Sequence, residues 1–440
     1  MSTLEIGALS IIAIVVLVYL GVYVAVALGV VSFVGVWYLR GDFMTAQSLL
    51  IASAEESIAN YVLGVVPLFV LMGLLVSASD IAKDSYEVCN RLFGKIRGGL
   101  AIATVAANTV FAAVTGVSIA SAAVFTRVSV PEMLRFGYHP RFAVGVVAGS
   151  SVLGMLIPPS VLLIIYAILT EQSVGTMFIA GIVPGLVLAG LYCLLILGLA
   201  RFVPRMVYRD GKSGVDPGAE QPVTITRAVV KVFPVTFLIA LVIGGIYGGV
   251  FTATEAGAAG SAATLVIALY RRKLGLAALW KVMMETGNTT ATILILVVGA
   301  TLYSRMLGIS GLPTRLGNWV SEVNLSLPMI LFVFLVVVLL LGTIIDSISI
   351  ILITVPLFLP LLKPFGVNLV WFGIITVVAV EIGLLTPPFG ISVFVVKSSL
   401  EDRSITLKDI FVGTAPFAVT MFVVMLLIIA FPVLSTILIR

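Results

Sequence analysis

Two short stretches hold the residues best placed to do chemistry. Gly154-Met155-Leu156-Ile157-Pro158-Pro159-Ser160 lies inside the apolar run 142–169, and Gly383-Leu384-Leu385-Thr386-Pro387-Pro388-Phe389 lies inside the run 370–398. Proline has no N–H to give and its ring collides with the carbonyl one turn back, so each pair breaks a helix. In hydrocarbon, backbone freed in this way persists only where protein or a water-filled site satisfies it. A broken helix offers two kinds of binding. Its free N–H groups and positive end suit an anion. Its unwound carbonyls suit a small hard cation such as Na+, which takes oxygen ligands.

Each break is matched by a turn rich in small hydroxyl residues. Thr115, Gly116, Ser118 and Ser121 belong with Gly154, Ile157 and Pro159; Gly342, Thr343, Asp346, Ser347 and Ser349 belong with Gly383, Thr386 and Pro388. The inference is two cation sites flanking one substrate site, with Thr115, Gly116, Ser118, Ser160, Thr343, Asp346, Ser347 and Pro387 placed against the substrate. Taken singly, a Gly or Ser in a membrane helix more often serves close helix packing; the pairing of the two breaks favours binding for the units as wholes. Asp346 is an intramembrane carboxylate that either coordinates a cation or only satisfies the hairpin backbone. Glu381 is read as a structural acid, with proton carriage as the alternative. Arg127 is read as a snorkelling arginine at a hairpin base rather than a substrate ligand, and Glu255 as structural.

The elements that hold these breaks must be membrane helices. The chain has 440 residues, 61% of them hydrophobic and 10% charged, with a mean hydropathy of +1.24. Soluble domains carry roughly 25% charged residues, so a soluble enzyme is excluded. Apolar runs reach the ~20 residues a bilayer-spanning helix needs. The net charge of +5 lies in short loops and does not indicate nucleic acid. Cys89 and Cys193 match no metal or redox spacing. A single histidine, His139 in a polar turn, argues against haem, quinone or zinc chemistry, and no organic cofactor is expected. No basic region precedes the first apolar run, which is expected to stay as a membrane helix.

Along the chain, the run 6–39 is long enough for two helices parted near Gly21, and residues 40–59 are polar. A span follows at 60–79, then an amphipathic helix at 80–97 lying along the lipid interface. Residues 99–131 break at residues 115–118 into arms of about 12 to 14 residues, each too short to cross, so a re-entrant hairpin is expected. The broken helix 142–169 and a span at 177–200 come next. Residues 201–230 form a polar linker before two spans at 231–250 and 253–270. The second half repeats the first: a span (286–306), an amphipathic stretch (310–324), a hairpin (328–361), a broken helix (370–398) and a last span (411–437).

One constant offset of 229 carries Ser118 onto Ser347, Pro131 onto Pro360, Gly154 onto Gly383, and Pro158-Pro159 onto Pro387-Pro388. Placing residues 127–141 in the cytoplasm leaves only Arg40, Arg305, Arg315, Lys363 and Arg440 of the 25 Lys and Arg on the other side. That bias satisfies the positive-inside rule and opens the two hairpins to opposite sides. The fold expected is therefore an all-α polytopic membrane protein with inverted repeats, two re-entrant hairpins and two broken helices: residues 1–59 as N-terminal scaffold, 60–200 as the first repeat, 201–285 as cytoplasmic linker and scaffold, and 286–440 as the second. Inverted repeats with broken helices mark a secondary transporter with its site near the midplane.

Several of these pieces also resemble the large membrane subunit of tripartite ATP-independent periplasmic (TRAP) transporters. They are Pro131-Glu132-Met133 with Gly137-Tyr138, the stretch Gly154 to Ser160, Gly181-Ile182-Val183-Pro184-Gly185, Tyr247 to Glu255, and Gly383 to Pro388. Tyr23 and Ala253 depart from the family pattern, where proline is usual, and both lie outside the breaks. The resemblance covers almost the whole chain. It implies a sodium-driven elevator in a bacterial inner membrane, importing an organic acid such as a C4-dicarboxylate or sialic acid. It also implies a periplasmic substrate-binding protein and a small four-helix membrane subunit as partners. By matching position it puts one sodium on Ser118, Ser121, Gly154, Ile157 and Pro159, and the other on Gly342, Gly383, Thr386 and Phe389, mostly through backbone carbonyls. The alternative is a stand-alone ion-coupled anion transporter or antiporter with no binding protein.

Overall fold

The structure, a computed structural model, describes residues 2–211, 225–272 and 274–439. Helices α1 (Thr3–Tyr19), α2 (Val24–Arg40) and α3 (Phe43–Ala59) open the chain. The first apolar run is thus two helices, parted at Gly21, whose φ of 87° reverses the chain where no side chain crowds it. Residues 40–59, read from sequence only as polar, form a full helix. Asp42 caps it by accepting from the N–H groups of Met44 and Thr45, which satisfies two donors that a helix start leaves open.

Next come α4 (Val65–Ala78), the amphipathic α5 (Ile81–Phe93), and the antiparallel-connected pair α6 (Gly99–Thr115) and α7 (Ser118–Arg135). The first broken helix is α8 (Pro140–Ser151), α9 (Leu153–Leu156) and α10 (Val161–Leu169), bent by 40° at the break. Then follow α11 (Val174–Phe202), α12 (Pro204–Val207), α13 (Ile225–Ile239), a π-helical turn, α14 (Gly245–Tyr247) and α15 (Ala253–Tyr270). The remainder is α16 (Leu276–Ser310), α17 (Leu312–Glu322), the pair α18 (Leu327–Gly342) and α19 (Ser347–Leu362), the second broken helix α20 (Leu369–Gly383) and α21 (Ile391–Ser399), then α22 (Leu407–Ala430) and α23 (Val433–Thr436). Among the described residues, six helices are long and apolar enough to cross a membrane, up to seven if the bent pair counts as one span.

The helix order repeats, and the starts of α7 and α19 (Ser118, Ser347) and of α8 and α20 (Pro140, Leu369) keep the 229-residue spacing. The hairpin arms are longer than the sequence indicated. α6 and α7 have 17 and 18 residues, about 26–27 Å at 1.5 Å per residue. Charged Arg127, Glu132 and Arg135 extend α7 beyond its apolar stretch, so arm length is not what separates a hairpin from a crossing pair.

Packing exchanges pieces between the halves. α10 lies on α19 and, reciprocally, α21 on α7; α8 lies on α22 and α20 on α11. Each half-helix of one repeat therefore buries its apolar face on the other, and one continuous core results. α16 packs on α2, α3 and α4 and joins them to the same core. α5 is pinned by ion pairs to neighbouring helices: Arg271 Nη1 stands 2.6 Å from Asp84 Oδ2, and Lys231 Nζ lies 3.5 Å from Asp84 Oδ1 and also pairs with Glu87. Asp84 and Arg271 are mostly buried while Lys231 and Glu87 are partly open, so the Asp84–Arg271 pair is the one that solvent screens least. Asp84→Asn, which removes the carboxylate that pairs with Arg271 and one of the two that pair with Lys231, should lower unfolding stability by about 1–3 kcal/mol, read as a fall in melting temperature of the purified protein; an unchanged melt would show the cluster to be inert.

Candidate functional site

The first break is built around Gly116. Its φ of 66° lies in the left-handed region, which an L side chain enters at a cost of about 1–2 kcal/mol. A Cβ there would also sit 2.3 Å from the Pro159 carbonyl oxygen. The turn between α6 and α7 thus presses backbone to backbone on the break. The Gly116 carbonyl accepts from the N–H of Val161 at 3.2 Å, and Gly154 faces the backbone of Val117 and Ser118. Ser160 caps α10, accepting from Leu163 N–H at 3.3 Å while its hydroxyl donates to the Met155 carbonyl. α11 closes the other side: a Cβ on Gly181 would lie 2.5 Å from the Leu156 carbonyl oxygen and one on Gly185 2.5 Å from Ile157. This gives the glycines of the Gly-Ile-Val-Pro-Gly stretch their role.

The hydroxyls sort into two groups. Thr115 turns back to the Phe111 carbonyl at 2.9 Å. Ser121 donates to Asn108 Oδ1, and Asn108 Nδ2 donates to Ser150 Oγ at 2.6 Å. Asn108 and Ser150, both fully buried, were missed in the sequence. Their counterparts at the 229 offset are Val337 and Ala379, so the repeat gave no signal; only two polar residues in apolar runs did. Ser118 is also fully buried, and its hydroxyl lies against the Glu381 carboxyl of the second half.

The second break repeats the plan with different chemistry. Gly342 and Gly383 meet face to face, and a Cβ on either would lie 2.6 Å from the other's Cα. Phe389 N–H donates to the Thr343 carbonyl at 3.2 Å, as Val161 does to Gly116. Both Pro-Pro peptide bonds are cis. Thr343 and Thr386 bond their own helix carbonyls, of Leu340 and Ile382. Asp346 caps α19: one oxygen accepts from Ser349 N–H at 3.1 Å and the other from the Ser349 hydroxyl at 2.5 Å. Of its two sequence-level roles, support of the hairpin backbone is the one this geometry displays. Ser347 donates to Glu381 Oε1 at 3.3 Å. Where residues 157–160 are buried, Pro387, Pro388 and Phe389 are exposed.

The helix starts at the breaks differ in charge preference. α10 is capped by Ser160 and α19 by the Asp346 carboxylate, which disfavours an anion there. α7 and α21 have no side-chain cap. Their open N–H groups and positive ends are the anion-favouring features of the region. Carbonyls and hydroxyls at the two tips form an all-oxygen donor set suited to Na+ rather than to softer metals, and no group of His, Cys, Asp and Glu fit for a metal occurs among the described residues.

A helical membrane protein with two broken helices, each closed by a glycine-tipped helix pair, has the architecture of a secondary transporter. Residues 11–434 match the family described as "Tripartite ATP-independent periplasmic transporter, DctM component", and the chain belongs to that family. It is similar to the C4-dicarboxylate TRAP transporter large permease of Pseudomonas aeruginosa, at 35% identity over 80% of this chain and 81% of that one. It is also similar to the sialic acid TRAP transporter large permease of Vibrio cholerae, at 31% identity over 85% of each. Among solved structures it shares its fold with the Alcanivorax borkumensis YdaH transporter, with a TM-score of 0.59, 15% identity and 88% of both chains covered. The protein is thus an integral inner-membrane transport component rather than an enzyme. It belongs to a tripartite system with a periplasmic substrate-binding protein and a small membrane subunit.

Two glycines, one at the first tip and one in the turn before the second broken helix, separate strain from contact. Gly366 has φ 57° but open space around it, whereas Gly116 has φ 66° and the Pro159 carbonyl at its face. Gly366→Ala should cost about 1–2 kcal/mol and leave uptake intact. Gly116→Ala should cost more, by thermal unfolding, and abolish uptake in vesicles. Equal effects would contradict the close approach at the first break.

Proposed function

We propose that the chain is the permease of a Na+-coupled, binding-protein-dependent importer of an organic acid, working as an elevator. The observation that carries the reading is the fully buried Ser118 hydroxyl beside the break, whose polar neighbour is the buried Glu381 carboxyl. A cation held between the first hairpin tip and the carbonyls of Gly154, Ile157 and Pro159 would complete the coordination of that hydroxyl and balance the buried carboxyl. Ser121 belongs to the same donor set. At the second break the corresponding set is Gly342, Gly383, Thr386 and Phe389. A carboxylate fits the uncapped starts of α7 and α21 near Thr115, Gly116 and Ser118, with Ser160, Thr343, Ser347 and Pro387 bordering it. The acidic substrates named for the two relatives, C4-dicarboxylates and sialic acid, agree with that chemistry.

In this reading residues 60–200 and 286–440 are inverted repeats whose hairpins are re-entrant. The reciprocal packing of α10 with α19 and of α21 with α7 favours movement of both breaks as one body. The peripheral α5, held by Asp84 and Glu87, and α17 brace the scaffold. A substrate selected by a binding protein also accounts for the lack of an obvious specificity residue in this chain. Reconstituted with its small subunit and binding protein, the protein should take up substrate only with an inward Na+ gradient. Replacing Na+ with choline should reduce uptake to background; undiminished uptake would refute the coupling. Ser118→Ala should raise the half-saturating Na+ concentration about tenfold or more, and an unchanged Na+ titration would remove Ser118 from the site.

A further inference from the structure

Glu381 is the only Asp, Glu, His, Lys or Arg with no exposed surface among the described residues. Its carboxyl is incompletely served. Oε1 accepts one bond, from the Ser347 hydroxyl at 3.3 Å, and Oε2 has no hydrogen-bond partner. The hydroxyls beside it are those of Ser347 from α19 and Ser118 from α7, with Tyr192 of α11 nearby, and none is a cation. The Tyr192 hydroxyl has no hydrogen-bond partner among the described residues. Ser118 and Ser347 are the first residues of α7 and α19 and correspond at the 229 offset. The carboxyl therefore stands between the tips of both hairpins. It has no twin, because the offset places Val152 at the matching position of the first half.

We infer that the Glu381 carboxylate is a shared counter-charge for the two cation sites and makes the binding of the two cations cooperative. A buried carboxylate without a partner charge is strongly disfavoured. A cation at the first tip, on the Ser118 side, supplies that charge, while the Ser347 bond ties the carboxylate to the second tip. Ordering either tip thus sets the position of the group that the other uses, which is a coupling between two sites through one side chain. This inference rests on the sodium reading above. A carboxyl that only fills space as a neutral acid would give no such coupling.

The test is calorimetric Na+ titration of the full chain with its small subunit in lipid nanodiscs, in wild type, Glu381→Gln, Glu381→Asp and Ser347→Ala. Wild type should bind Na+ with a Hill coefficient above one. Glu381→Gln should weaken Na+ affinity about 10–100-fold and bring the Hill coefficient to one, while Glu381→Asp keeps part of both. Ser347→Ala, which keeps the charge and cuts its tie, should lose cooperativity with a smaller change in affinity. Unchanged affinity and cooperativity in Glu381→Gln would overturn the inference. If that variant does not fold, unchanged cooperativity in Ser347→Ala would do so. Absence of Na+ binding in wild type would instead overturn the sodium reading itself.

Discussion

Backbone that leaves its helix inside a membrane must find new hydrogen-bond partners, and the rest of this structure is arranged around that requirement. At each break the partner is a hairpin tip: the Gly116 carbonyl for Val161, the Thr343 carbonyl for Phe389. Neither bond forms unless two main chains approach without side chains between them. Gly116 against Pro159 and Gly342 against Gly383 are therefore conditions for the fold as much as features of a site. The same closeness gathers backbone carbonyls and small hydroxyl side chains, the oxygen donors that the proposed sodium sites would use.

The halves share a plan but not a chemistry. The first tip carries a neutral network of Asn108, Ser121 and Ser150, and its break is sealed by α11. The second carries both acids, Asp346 and Glu381, and its break is open at Pro387 to Phe389. Reciprocal packing of each half-helix on the opposite repeat makes one body of two unlike sites. Division of labour between repeats, with charge held on one side, is what the proposed counter-charge exploits.

Much of the fold was legible because proline and glycine act through local sterics, and sterics survive in sequence. The 229 offset placed Ser118, Ser347, Pro140 and Leu369 at matching helix starts. Other features depend on tertiary context. The hairpin arms run past their apolar stretches because Arg127, Glu132 and Arg135 remain helical, which hydropathy could not show. The helix Phe43–Ala59 looked merely polar because the face it buries is made of small residues, Ala46, Ser53 and Ser57, which give little hydropathy signal. Asn108 and Ser150 showed in the sequence only as polar residues in apolar runs, because their role comes from contact with residues distant in sequence. Glu381 was visible as an acid, but its position between two serines of opposite repeats could come only from the packed structure.

The central claim is that the two breaks belong to oppositely oriented halves of one site. The direct measurement is thiol labelling of single cysteines at Gly137, before the first broken helix, and at Phe365, before the second, with Cys89 and Cys193 replaced by serine. A membrane-impermeant maleimide is applied to right-side-out and inverted vesicles. The account predicts labelling of the Phe365 position only in right-side-out vesicles and of the Gly137 position only in inverted ones. Labelling of both positions from the same side would contradict it.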